Sequence, residues 1–178
     1  MATLAFAGCG GDERRDAGAP GGTYTVAVER ASFPPAQHLA QRSALVIAIR
    51  NEGARAIPNL VVTVHGFTDR LGGARNSDPT RDLWIVDRGP AGAATAFQDT
   101  WAAGRLEPDR TATLRWELTP AVAGRHKLTF EIAPALAGAA RAELAGGGEA
   151  QRSLTVRVSD KPAAAQVDPR TGGVRRHE

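Results

Sequence analysis

Apolar and polar residues alternate with a period of two over most of the chain from Thr23 to Asp160. That spacing is the mark of strands with one buried and one wet face. Tyr24, Val26 and Val28 share one face of a first predicted strand. Phe33-Pro34-Pro35 ends it, because proline has no N–H to give to a ladder. The stretch Ser43–Phe67, SALVIAIRNEGARAIPNLVVTVHGF, then supplies two aliphatic runs around a Gly- and Pro-punctuated connection. Leu45, Ile47 and Ile49 point one way in the first run, as do Leu60, Val62 and Val64 in the second. Both runs also carry Val or Ala on the opposite face, which predicts central rather than edge strands. Asn51-Glu52-Gly53 between them is turn chemistry, since Asn and Gly tolerate positive φ. The two runs are expected to pair as a hairpin.

Further along, Thr68–Thr80 (TDRLGGARNSDPT) predicts a polar loop, and Asp82–Asp87 a short strand ending at Arg88-Gly89-Pro90. Ala96–Ala102, containing Trp101, predicts another short strand. The clearest alternation follows the Pro108-Asp109 turn: Ala112, Leu114, Trp116 and Leu118 face inward, against Thr111, Thr113, Arg115 and Glu117. Leu128, Phe130 and Ile132, then Leu154, Val156 and Val158, mark the last two strands. Ala133–Ala145 fits two readings. Its Ala and Leu favour a helical turn, Pro134 and Gly138 interrupt one, and AARAEL pairs equally well as a strand. Seven to eight short strands separated by turn signals, with no helical segments alternating between them, predict an all-β, immunoglobulin-like antiparallel β-sandwich.

Composition fits one domain with tails. A chain of 178 residues can bury a real core, and a 42% hydrophobic content is too high for a disordered chain. The net charge of +3 is mild, and Arg50, Arg88, Arg115 and Arg157 alternate with acids and apolar residues instead of forming a basic stripe. Nucleic acid is therefore not an expected partner. No run of about 18 apolar residues exists to make an ordinary transmembrane helix.

The single cysteine excludes a disulfide framework and leaves one free thiol. Met1–Gly11 reads MATLAFAGCGG, and Phe6-Ala7-Gly8-Cys9 resembles the lipobox of bacterial lipoproteins. The resemblance implies that Cys9 carries diacylglycerol and becomes the mature N-terminus. Phe6 stands where that family uses Leu, Val or Ile, and no Lys or Arg precedes Cys9. A longer upstream sequence would supply the missing basic and apolar regions of a secretory signal. Gly10–Gly22, GGDERRDAGAPGG, reads as a charged tether without apolar periodicity. The expected organisation is residues 1–9 as a truncated signal peptide with its lipobox, 10–22 as a flexible tether, 23–160 as the sandwich, and 161–178 as a disordered tail.

IRNEGARAIPNLVVTV resembles the bacterial surface Ig-like repeats of the CARDB and related families, in which an aliphatic strand ends in Asn-x-Gly. DLWIVDRGP, TWAAGRLEPDRTATLRWELTP and VDPRTGGV are similar to segments of a group of actinobacterial lipoproteins with no assigned activity. These resemblances imply an extracytoplasmic, adhesive or scaffolding module.

Chemistry-bearing constellations are absent from the sequence pattern. His38, His65, His126 and His177 show no H-x-x-x-H spacing and no Cys partner, so no zinc site is expected. The only Met is the first residue, which leaves copper without soft ligands. His65 lies out of phase with Leu60, Val62 and Val64 and is expected at the surface. Asp69, Asp78, Asp82 and Asp87 lack calcium-loop spacing and interleave with arginines. There is no G-x-S-x-G elbow and no phosphate loop. No catalytic residues, cofactor or metal are expected.

Trp84 alternates with Leu83 and Ile85, so it can face solvent, and Trp101 has little beside it to bury it. Aromatics are enriched at recognition surfaces. Trp84, Arg88 and Trp101 are therefore the candidate interaction patch, against the plainer reading that both tryptophans fill the sandwich rim. The expected function is non-catalytic: a lipid-anchored module on the outer face of the cell membrane that binds an envelope protein or polymer. The alternative is an accessory or ligand-binding subunit of an envelope enzyme or transport system.

Overall fold

The computed structural model describes residues 16, 18–70, 80–162, 165–167, 170 and 174–176. Cys9 and the rest of 1–15 lie outside the described residues. The strands, in chain order, are β1 (Gly22–Ser32), β2 (Ala36–Leu39), β3 (Ser43–Asn51), β4 (Val61–His65) and β5 (Thr68–Arg70). Then come β6 (Thr80–Asp82), β7 (Trp84–Arg88), β8 (Ala94–Phe97), β9 (Thr100–Ala102) and β10 (Thr111–Pro120). The last are β11 (Gly124–Ala133), β12 (Ala140–Leu144), β13 (Gln151–Pro162), β14 (Ala165–Val167) and β15 (Val174–Arg176). No helix occurs among the described residues.

Two sheets face each other across one core. The first runs β12-β1-β3-β10-β7 and the second β2-β13-β11-β4-β9-β8. The fold is the expected all-β sandwich, with more strands than the seven to eight predicted. It is also mixed, not purely antiparallel. β12 runs parallel to β1, from Gly22↔Ala140 to Val26↔Leu144, and β2 runs parallel to β13. Both parallel pairs put a short strand at a sheet edge. The ambiguous stretch after Ala133 thus resolves as a strand at AARAEL.

The predicted hairpin does not form. β3 lies third in the five-stranded sheet, between β1 and β10, and β4 lies in the opposite sheet, between β11 and β9. The two runs are central strands, as their second-face apolar residues predict, but their inward faces meet across the core. The connection between them is pinned by the fully buried Asn51. Its Nδ2 donates to the carbonyls of Arg55 (2.9 Å) and Leu106 (3.0 Å), and its Oδ1 accepts from the Gly53 N–H (3.0 Å). A Cβ at position 53 would stand 3.3 Å from Asn51 Oδ1 and 3.5 Å from the Thr25 nitrogen, so the Asn-x-Gly pattern leaves room for this bridge. After β4, Gly66 (φ +101) turns the chain where a Cβ would meet the Lys127 carbonyl oxygen at 2.5 Å.

The core holds most of the predicted inward positions: Tyr24, Val26, Leu45, Ile47, Ile49, Leu60, Val62, Val64, Leu114, Trp116, Leu118, Leu128, Phe130, Ile132, Val156 and Val158 are buried, and Val28, Ala112 and Leu154 are partly buried against them. Aromatic edges meet faces inside it, Trp101 against Trp116 at 5.3 Å and 80°, and Phe67 against Trp101 at 6.1 Å and 73°.

Residues flanking the sandwich on the N-terminal side contact it at Asp16 and Pro20. Asp16 accepts hydrogen bonds from Asn59 Nδ2 (2.6 Å) and the Leu136 N–H (3.0 Å), and the Tyr24 hydroxyl donates to the Pro20 carbonyl (3.0 Å). The stretch 161–178, expected as a disordered tail, contributes Lys161 and Pro162 to β13 and the short antiparallel pair β14–β15. Within the expected polar loop at 68–80, Thr68–Arg70 pairs with Thr80–Asp82. The single strand expected at 96–102 is two, β8 and β9, folded back on each other. Asp99, at φ 57, makes the reversal.

Candidate interaction surface

The expected patch of Trp84, Arg88 and Trp101 is not one surface. Trp84 is 1% exposed and Trp101 5%. The period-two argument fails at Trp84 because Leu83 precedes the strand. The N–H groups of Leu83 and Trp84 both donate to the Phe67 carbonyl (2.7 and 3.1 Å), a kink at which two consecutive side chains turn inward. Trp84 Nε1 donates to Gln37 Oε1 (3.1 Å), while Gln37 Nε2 donates to the Pro34 carbonyl (3.1 Å). The ring packs against Phe33 and His126, with centroids 5.9 and 5.1 Å away. Trp101 is covered because β9 is an interior strand, between β4 and β8.

What is exposed near Trp84 is the rest of its strand. Ile85 (50%), Val86 (37%) and Phe97 (62%) are the large apolar side chains open to solvent among the described residues. All three sit on edge strands: β7 ends the first sheet, and β8 ends the second. Arg88 is exposed, 3.7 Å from Glu117. Arg42 approaches Asp87 (3.3 Å), which accepts from the Thr119 hydroxyl (2.6 Å). The β7–β10 register shifts next to Asp87, between Val86 and Arg88. Bulge and charge together blunt the C-terminal half of β7 as an edge. Its Ile85–Val86 half has neither.

The histidines are structural or superficial. His65 Nε2 is 3.4 Å from Glu131, His126 Nε2 is 2.9 Å from the Val122 carbonyl, and His38 Nδ1 is 2.9 Å from the Lys161 carbonyl. His177 lies outside the described residues, as do Asp78 and the side chain of Asp69. Asp99 has its carboxyl pKa raised, by burial first and then by Asp82, with His65 pulling the other way. No group of three His, Cys, Asp or Glu side chains is placed to hold a metal among the described residues. No described helix is long and apolar enough to cross a membrane.

Among solved structures, the chain is similar to the CARDB domain of a Pyrococcus furiosus protein in complex with di-metal ions. That match has 12% identity, covers 78% of this chain and 93% of that one, and has a TM-score of 0.44. It is also similar to native alpha-2-macroglobulin from Escherichia coli, from domain MG7 to the C-terminus, at 14% identity over 84% of this chain and 21% of that one, with a TM-score of 0.45. A third is the Pseudomonas fluorescens alkylpurine DNA glycosylase bound to DNA containing an abasic site analog, at 14% identity over 75% and 30%, with a TM-score of 0.41. No family model matches the chain. No curated protein matches it either.

Proposed function

We propose that this domain is a non-catalytic interaction module, held by a lipid on Cys9 at the outer face of a cell membrane, that binds an envelope protein or polymer along its β7–β8 edges. The carrying observation is where the exposed apolar side chains fall: Ile85, Val86 and Phe97 lie on edge strands, and Arg88 is exposed at the end of β7. Edge strands offer unpaired backbone N–H and C=O groups, and apolar side chains on them add contact area for a partner strand or chain. The membrane part of the reading is supported by the lipobox-like Phe6–Cys9 and the lone thiol.

Two measurements on the full chain, expressed with its natural upstream sequence, test the two parts separately. Photo-crosslinking residues placed at Ile85 and Phe97 should trap one envelope partner, while the same residue at Arg152 on β13 should not. Equal trapping from all three positions would reject the edge. Cys9→Ala should move the protein from the membrane to the soluble fraction, and a variant still bound to membrane would reject the anchor.

A further inference from the structure

A second place in the fold invites an added strand. Among the described residues, β12 is an edge strand whose only in-sheet neighbour is β1. At its C-terminal end the outer side is closed, because the Leu144 N–H donates to the Gly148 carbonyl (3.0 Å) and Glu143 bridges Glu149. Among the described residues, Ala140–Ala142 have no such neighbour on that side. Across from them, β11 pairs with β13 only as far as Glu131↔Gln151, and the Ile132 N–H makes the last bond, to the Ala150 carbonyl (2.8 Å). The result is a groove of about 640 Å³ between β12 and the end of β11.

The groove has small apolar side chains within it and charge at its margins. Ala140, Ala142 and Ala150 line it with Ile132, and Ala140 and Ala142 are only partly buried against the core. Glu131, Glu143 and Glu149 also line it, against a single cation, Arg141. The Glu131 carboxylate lies 3.4 Å from His65 Nε2 and the Glu149 carboxylate accepts from Gln151 Nε2, and with Glu143 they give the groove a rim with more acidic than basic residues, which favours a positively charged occupant. A free strand edge selects an extended backbone. The alanines leave room for the inward side chains of such a segment, because alternate residues of a strand point to opposite faces.

We propose that this groove takes an extended basic peptide segment of a partner protein, which adds a strand beside Ala140–Ala142. Its inward residues cover Ala140, Ala142 and Ala150, and its basic residues face Glu131, Glu143 and Glu149. The site is separate from the β7–β8 edges and does not depend on the membrane anchor.

The test uses the full chain, isotopically labelled for NMR, with acetyl-KVKVK-amide as probe and acetyl-EVEVE-amide as its charge-reversed counterpart. The basic peptide should shift the amide signals of residues 140–142 saturably, and the acidic one should not. Glu131→Gln, Glu143→Gln and Glu149→Gln combined should weaken binding by about tenfold, which is about 1.4 kcal/mol, within reach of three surface ion pairs. Ala142→Leu fills the groove, leaves every charge in place and should weaken binding by a similar factor. Should Ala142→Leu not fold, the triple variant decides. Equal binding of the two peptides, no saturable shift with the basic one, shifts away from β12, or unchanged affinity in either folded variant would overturn the proposal.

Discussion

β3 and β7 flank the same strand, β10, one on each side, and each carries adjacent aliphatic residues, Val46-Ile47 and Ile85-Val86. Their fates differ. Ile47 is fully buried and Val46 is 9% exposed, so β3 is covered on both faces, whereas Ile85 is 50% and Val86 37% exposed. The difference is not hydrophobicity. β3 has β1 as a second in-sheet neighbour, and among the described residues β7 has none. Within β7 the contrast repeats over one residue, since Trp84 is turned into the core by the kink at Leu83 and Ile85 is turned out. Burial in this sandwich follows neighbours first and composition second.

Breaking the inward half of β7 should give the largest effect. Trp84→Ala removes a fully buried indole and leaves Gln37 Oε1 without its donor, and should cost about 3–5 kcal/mol, read as a fall in the denaturant midpoint. Binding lost without destabilisation would return Trp84 to the surface patch. Next is the pin beside β3. Asn51→Ala removes the donor to the Arg55 carbonyl and leaves the Leu106 carbonyl with the Ile57 N–H alone of its two donors, and should cost about 1–3 kcal/mol in the same measurement. An Asn51→Ala protein as stable as the parent would show that the crossover holds without its bridge.

A smaller effect comes from Asp99, whose folded-state pKa lies above its ordinary value of 3.8. Between the unfolded and folded values the folded state holds the extra proton, so stability falls as pH rises through that window. Asp99→Asn, which tolerates the positive φ, should therefore raise the thermal midpoint at pH 7, and the gain should vanish near pH 3, below both pKa values. A gain that persists at pH 3 would assign the effect to something other than this carboxyl. Least of all, Ile85→Ala should change stability by no more than about 0.5 kcal/mol, as surface substitutions do. A cost near that of a core residue would mean that β7 has a covered outer face after all.

Much of the fold was legible because alternation reports which face of a strand is buried. Leu114, Trp116 and Leu118 needed nothing more than their spacing. Alternation says nothing about which strand is the neighbour, and so β3 and β4 looked like a hairpin when their faces, not their edges, meet. The short edge strand β2 escaped and β12 stayed open between helix and strand for a related reason, since four or five residues of AQHL or ARAEL carry too little periodicity to decide by themselves. Gln37 was invisible as a core residue because nothing local marks it; only the arrival of Trp84 from another part of the chain gives its amide a partner. The patch expectation rests on residue type, and of its three residues only Arg88 stands at the surface. The anchor expectation rests on a motif, and Cys9 lies outside the described residues.

The parallel pairing of β1 with β12 has a consequence for how the chain folds. β1 opens the sandwich in sequence, yet one of its two partners begins at Ala140. No local turn can join them, so this ladder closes the longest loop in the five-stranded sheet, and pairings of such sequence separation are slow to form. β3 and β10 can pair while β1 still waits for its second neighbour. The first strand of the sandwich thus stays without its second neighbour until Ala140–Leu144 has been made, and a chain stopped before residue 140 would leave one flank of its core open to water.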